Sequence, residues 1–339
     1  MSERSPRWLM WVTRVSLVVG LIALVATIVI VGPSAIMHYL RAIGWFLIVI
    51  VAVELISSVL DGTAVYYMAR GPTWREAVVA QIAGRGVNSI TPGGNLGEAV
   101  KVGLLSRRGS TRRAVAAVMY VGLVAVVMAF GVIAIGSAVT PFLFDMPAVA
   151  KVGLFLGAAA AVGIGFGIVW LLSHGMLAKL ANMLARLHLI SRKRREKWNE
   201  TLSDVDARLS GHSDGEHRRK AIACIAASQL LQKTLSYLTV LAAGYHLSPG
   251  QFLALLSAGV LVGWISTIIP MGLGISEGGN VALFTLIGAP ASLGLALALA
   301  RRVNQVVFAA IGFFVLMADR VAQHVHHHVS SRYAPKPTH

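Results

Sequence analysis

Two breaks of nearly the same composition interrupt the apolar sequence of this chain, Pro92-Gly-Gly-Asn-Leu-Gly-Glu98 and Pro270-Met-Gly-Leu-Gly-Ile-Ser-Glu277. Hydrocarbon gives a bare backbone no hydrogen bonds. A proline-glycine break with a carboxylate at membrane depth therefore persists only where it lines a cavity or is buried in protein. Paired interruptions at corresponding positions of two halves point to a transporter's binding region. Composition puts the breaks in a membrane: of 339 residues 56% are hydrophobic and 13% charged, against about 25% charged in soluble domains.

A window of about 20 apolar residues predicts full spans at 9–31, 43–66, 114–138, 152–173, 221–243 and 293–318. Segments 77–105 and 251–289 are too broken by Gly, Pro and charge for one straight helix, and are expected to enter and leave on one side. The expected fold is all-α: a polytopic helical membrane protein with six full spans plus two re-entrant broken-helix hairpins in an inverted-topology repeat. Residues 1–150 form the first repeat and 151–320 the second, with a cytoplasmic amphipathic and charged insert at 174–220 and a disordered cytoplasmic tail at 321–339. Each half reads helix, helix, hairpin, helix, the first from inside and the second from outside, so the hairpins dip from opposite faces. The start is basic (Arg4, Arg7, Arg14) and apolar from Val15 to Val31, without a small-x-small cleavage site. An uncleaved helix is expected.

The net charge of +16 raises nucleic acid as a partner, and the placement of the charges argues against it. Of the 30 lysines and arginines, the expected outside segments carry only Arg41 and Lys151, while Arg85, Lys101, Lys233, Arg301 and Arg302 lie at membrane depth. The rest fall in the expected cytoplasmic segments, which is the positive-inside pattern with both termini cytoplasmic. The lone Cys224 excludes an internal disulfide and is expected to pack in the core. His326-His-His328 lacks a carboxylate or cysteine to complete a ligand set, so no metal and no cofactor is expected.

The candidate binding residues come from both breaks. In the first, Arg85 and Asn88 share a helix face, Pro92, Gly93 and Gly94 end the helix, and Asn95 is a plausible N-cap for the next helix. Gly97 follows, and Glu98 stands where it closes a capping box or pairs with Lys101. Amide groups at that helix start favour an anion, and the flanking cations suit phosphate. The second break repeats Pro270, Gly272, Gly274, Ser276 and Glu277, with Arg301, Arg302 and Asn304 in the final span. Two arginines there must face an interior or a carboxylate, and Glu277 is the natural partner for one of them. Glu54 and Lys233 either pair to lock the fold or line the path. Gly274-Ile-Ser276-Glu-Gly278 matches the nucleophile-elbow string, but the flanking membrane helices and the absence of a nearby histidine base argue against a serine hydrolase.

These motifs, Arg85…Asn88…Pro92-Gly-Gly-Asn-Leu-Gly-Glu98…Lys101 and Pro270-Met-Gly-Leu-Gly-Ile-Ser-Glu277…Arg302, resemble the lysylphosphatidylglycerol-synthase transmembrane-region family of flippase-like proteins. Some of its stand-alone members are associated with hopanoid biosynthesis. The resemblance runs from the second helix to Arg320 and implies lipid flipping in a bacterial inner membrane. Lys101 stands where the family pattern has arginine, which weighs against bidentate phosphate binding there. Only a short tail follows Arg320, so the aminoacyl-transfer domain of the two-part synthases is expected to be missing.

The leading expectation is a translocator that holds an anionic, phosphate-bearing headgroup between the two hairpins, with a membrane phospholipid or other anionic lipid as partner and carboxylates at depth offering a route to proton coupling. No Walker motif is present, so energy would come from a gradient or mass action. The alternatives are an integral-membrane enzyme acting on a lipid or polyprenyl phosphate, for which no paired-aspartate motif stands within a span, and a scaffold for lipid-synthesis enzymes using 174–220. The expectation is that it is not an enzyme.

Overall fold

The computed structural model describes residues 44–69, 71–91, 96–107, 110–173, 215–266 and 275–332. Among them the secondary structure is helical throughout: α1 Phe46–Ala69, α2 Trp74–Ile90, α3 Leu96–Leu105, α4 Thr111–Leu143, α5 Ala148–Ser173, α6 Gly215–Ala242, α7 Pro249–Ser266, α8 Ile275–Leu286 and α9 Ala291–Arg332. Four of these are long and apolar enough to cross a bilayer: Phe46–Ala69, Thr111–Leu143, Ala148–Trp170 and Ala291–Asp319.

These correspond to four of the six expected spans. The span expected at 9–31 lies outside the described residues, as does most of the 174–220 insert, whose last six positions open α6. Helix α6 covers the span expected at 221–243 as far as Ala242, but Gln229, Gln232 and Lys233 make its middle too polar to stand with the four. Helix α9 continues to Arg332, beyond the 318 at which the last span was expected to end. Helix α2 opens with a capping box not foreseen from the sequence. Thr73 accepts from the Glu76 amide at 3.3 Å, and Glu76 takes the Thr73 amide at 2.8 Å. Each interrupted segment is a helix pair that packs on itself, α2 on α3 and α7 on α8.

The core divides into two main clusters. One joins α1 to α4 and takes in Ala221 and Ile225 from the start of α6 and Leu316 from late in α9. The other joins α7 and α8 with Val240 from the end of α6 and Leu293 and Leu297 from the start of α9. The two helix pairs thus occupy opposite ends of α6 and of α9. Helix α1 lies antiparallel to α6, with Ser57 against Ser228 at 2.9 Å and the Tyr67 ring edge-on to His217. Helix α2 packs on α9, and α7 on α4. Gly86 and Gly312 bring α2 and α9 together so closely that a Cβ at Gly86 would lie 2.7 Å from the Gly312 Cα. Membrane helices lack a hydrophobic drive toward one another, and small residues at crossings supply the packing instead. Large apolar side chains such as Ile48, Phe142, Phe166, Phe314 and Met317 face outward, as expected of surface in contact with lipid.

Candidate functional site

Glu54, Ser57, Ser58 and Asp61 recur at spacings of three and four, so α1 presents one polar face to the interior. Arg85 of α2 reaches into that face. Its Nη1 lies 3.4 Å from Asp61 Oδ2 and donates to the Ser57 and Ser58 hydroxyls at 3.2 and 3.3 Å, and its Nε stands 3.7 Å from Glu54 Oε1. The guanidinium carbon also sits 5.8 Å from the centre of the Phe308 ring. One cation therefore bridges two carboxylates. Asn304 of α9 donates its Nδ2 to Glu54 and ties a third helix to the cluster.

At the first break, Asn88 uses both ends of its carboxamide. Its Oδ1 accepts the Gly97 amide at 2.7 Å, and its Nδ2 donates to Glu98 Oε1 at 2.9 Å. Lys101 closes the arrangement with a 2.8 Å pair to the same Glu98 oxygen. The pairing of Glu98 with Lys101 agrees with the sequence reading. The Gly97 amide near the start of α3 is met by Asn88 from the preceding helix, a bond between the arms of the pair. Gly97 is required for this closeness, since a Cβ there would fall 1.9 Å from the Gly84 carbonyl oxygen. At the second break, Glu277 in the first turn of α8 pairs with Arg302 of α9. Asn280 is fully buried, its Nδ2 donating to the Ser276 carbonyl.

Both arms converge on one stretch of α9. Going along α2 from Gly86 to Ser89, the facing α9 residues fall from Gly312 to Gln305, whose carbonyl accepts from Ser89 at 3.1 Å. Going back along α8 from Asn280 to Glu277, the facing residues rise from Gly294 to Arg302. The C-terminal end of α2 and the N-terminal end of α8 thus both approach residues 302–305 of α9. Pro92, Gly93, Gly94, Asn95, Pro270, Gly272 and Gly274 themselves lie outside the described residues.

The family model of the lysylphosphatidylglycerol synthase TM region matches residues 11–312, which include both breaks and every charge just described. The chain belongs to that family. It is a multi-pass helical membrane protein. No curated protein and no solved structure matches it.

In this lysylphosphatidylglycerol synthase TM-region protein, Glu54 meets Arg85 and Asn304, so of the two readings left open for Glu54 and Lys233 the mutual lock is not the one found. Asp61 was not singled out from the sequence, though a carboxylate seven residues after Glu54, with serines between, is a legible polar face. Ser228 and Gln81 stand beside that carboxylate. Arg301 and Lys233 have no carboxylate partner among the described residues. Arg301 and Asn304 line a cleft of about 80 Å³ together with Leu47 and Ile50 of α1, Leu235, Ser236 and Thr239 of α6, and Leu297 of α9. Among the described residues no group of three or more His, Cys, Asp or Glu converges to hold a metal.

Proposed function

We propose that the protein is a lipid translocator of a bacterial inner membrane, built from six spans and two re-entrant hairpins in an inverted repeat with cytoplasmic termini. It would hold an anionic phosphate headgroup near the midplane while the chains stay in the bilayer. The observation that carries this reading is the convergence of both broken helix pairs on residues 302–305 of α9 from its opposite ends. Their contacts at Gly294 and Gly312 are separated by roughly 27 Å at about 1.5 Å per residue, close to the thickness of a bilayer's hydrocarbon core. The pairing of helices supports the repeat. Exchanging α1 to α4 for α6 to α9 turns the α2–α9 packing into that of α7 on α4, and the α2–α3 pair into the α7–α8 pair.

Ionisable side chains at this depth are costly and mark transport paths. Here they come from α1, α2, α3, α8 and α9 together, not from one surface. Arg85, Lys101 and Arg302 each meet a carboxylate, so a phosphate arriving there exchanges with a glutamate or aspartate. Such an exchange leaves a carboxylate free to take a proton, which is the route by which a gradient would couple. Translocation, and not turnover, is the activity this arrangement supports.

The test is headgroup accessibility in vesicles reconstituted with the full chain. Glu277→Gln/Arg302→Gln removes an ion pair as a unit, so folding is spared, and translocation is expected to slow about tenfold or more, equivalent to about 1.4 kcal/mol. Unchanged rates in this variant and in Lys101→Met would remove the site. Topology has its own test: in a Cys224→Ala background, single cysteines at positions 93 and 273 are expected to react with impermeant reagents from opposite sides. Labelling of both from one side only would end the inverted arrangement.

A further inference from the structure

Helix α1 carries an unbalanced charge into the interior. Glu54 and Asp61 both meet the guanidinium of Arg85, its Nε 3.7 Å from Glu54 Oε1 and its Nη1 3.4 Å from Asp61 Oδ2. The two acid side chains are only 12% and 11% exposed, too little for solvent to absorb their charge. Lys101 of α3, whose stem crosses α2 at Gly84, is held by Glu98. Arg301 of α9 and Lys233 of α6 form an ion pair with neither acid among the described residues. Cys224 of α6 and Tyr120 of α4 pack in the same core and carry no charge at neutral pH. Two acids thus share one cation in a medium of low dielectric, where an uncompensated charge is costly. One added positive charge removes the imbalance.

The surroundings favour a proton over a metal cation. The guanidinium stands between the acids and fills that space with N–H donors, and the hydroxyls of Ser57 and Ser58 accept from it at 3.2 and 3.3 Å. Ser58 gives its own hydrogen to the Glu54 carbonyl at 2.8 Å, so these oxygens are engaged within the protein and not held open as metal ligands. Glu54 is the acid equipped for the proton. The carboxamide of Asn304 faces it, Nδ2 donating to Oε2, while Asn304 Oδ1 is buried without a hydrogen-bond partner among the described residues. A buried acceptor without a partner is costly. Turned about its last bond, the same carboxamide accepts from a protonated Glu54, so one side chain serves both states of the acid. Asn304 also lines the cleft of about 80 Å³ together with Ser236, Thr239 and Arg301. That space has room and polar partners for water, from which a proton is taken up and to which it returns. We propose that Glu54 holds one exchangeable proton at neutral pH, balanced against Asp61 across Arg85, with the cleft at Asn304 as its entrance. The resident proton stands apart from the translocator reading, and its use as the coupling ion rests on that reading.

The experiment is infrared spectroscopy of the purified full chain in detergent across a pH series, reading the C=O stretch of protonated carboxyl groups. Wild type is expected to show one such band at neutral pH and to lose it in alkali. Glu54→Gln is expected to abolish the band. Asp61→Asn is expected to abolish it as well, because a single acid facing Arg85 needs no proton. Glu98→Gln is expected to keep it, and Asn304→Leu to shift its frequency, since the carboxyl then loses its hydrogen-bond partner. Glu54→Gln copies the protonated state and is expected to melt no lower than wild type at neutral pH. Absence of the band from wild type overturns the proposal, as does a band kept in Glu54→Gln or Asp61→Asn, lost in Glu98→Gln, or indifferent to Asn304→Leu. A lower melting temperature for Glu54→Gln equally overturns it, since the negative charge of Glu54 would then be needed. Loss of the band on adding sodium at fixed pH would make this a sodium site and end the proton assignment. The two readings fail separately: the band without lipid translocation in vesicles sinks the translocator alone, and translocation by a wild type without the band sinks the proton site alone.

Discussion

Replacing Arg85 with alanine is expected to unfold much of the protein in detergent at temperatures where wild type is intact. The guanidinium bridges Glu54 and Asp61 and binds the hydroxyls of Ser57 and Ser58. Its removal leaves two carboxylates about two turns apart on one face of α1 with no counter-charge. Breaking a buried pair by removing one partner costs about 3–5 kcal/mol, and here two acids are stranded together. The charge argument makes a second, sharper demand. Arg85→Met combined with Glu54→Gln and Asp61→Asn removes every charge at once and is expected to recover most of the lost thermal stability. Unfolding curves in detergent decide it. Arg85→Ala melting with wild type, or the triple variant melting with Arg85→Ala, would show that the guanidinium does not hold α1 to α2 through charge.

Gly97→Ala is expected to separate the arms of the first broken pair. The added methyl would sit 1.9 Å from the Gly84 carbonyl oxygen and 2.4 Å from the Asn88 Oδ1. The asparagine can turn away, but only by giving up its bonds to the Gly97 amide and Glu98, and the carbonyl belongs to a helix backbone that cannot yield locally. Forced overpacking costs about 1–3 kcal/mol, with the lost Asn88 bonds added to it. Gly122 in α4 is the control, because a Cβ there meets nothing within 4 Å. Gly122→Ala is expected to be neutral or to stabilise by up to about 1 kcal/mol through helix propensity. Melting temperatures of the two variants, with translocation measured on each, provide the check. Equal melting would mean that the α2–α3 contact is looser than the glycine spacing requires.

The broken helices were legible because each break is local. Proline removes a backbone donor, adjacent glycines weaken helix, and both signals are read within a few residues. The Glu98–Lys101 pair was legible for the same reason, being three apart on one helix. Glu277 with Arg302 was reachable by elimination, since arginines in an apolar span demand an acid and few were available. Spans were read less completely. Helix α6 carries enough glutamine and lysine to weaken its hydropathy, and part of that polarity is spent at the α1 contact, where Gln232 donates to Ser228 and Ser228 is bonded to Ser57.

What the sequence by itself determined is everything that depends on spacing along one chain: helical class, membrane setting, the two interruptions and the charges stranded at depth. Tertiary structure alone decided which charge meets which. Only the approach of α2 to α1 gives Arg85 its partners Glu54 and Asp61, just as only the meeting of α1 and α9 brings Asn304 to Glu54. The physical reason is that pairing in a medium of low dielectric is set by distances between helices far apart in sequence, and no periodicity within a helix encodes them.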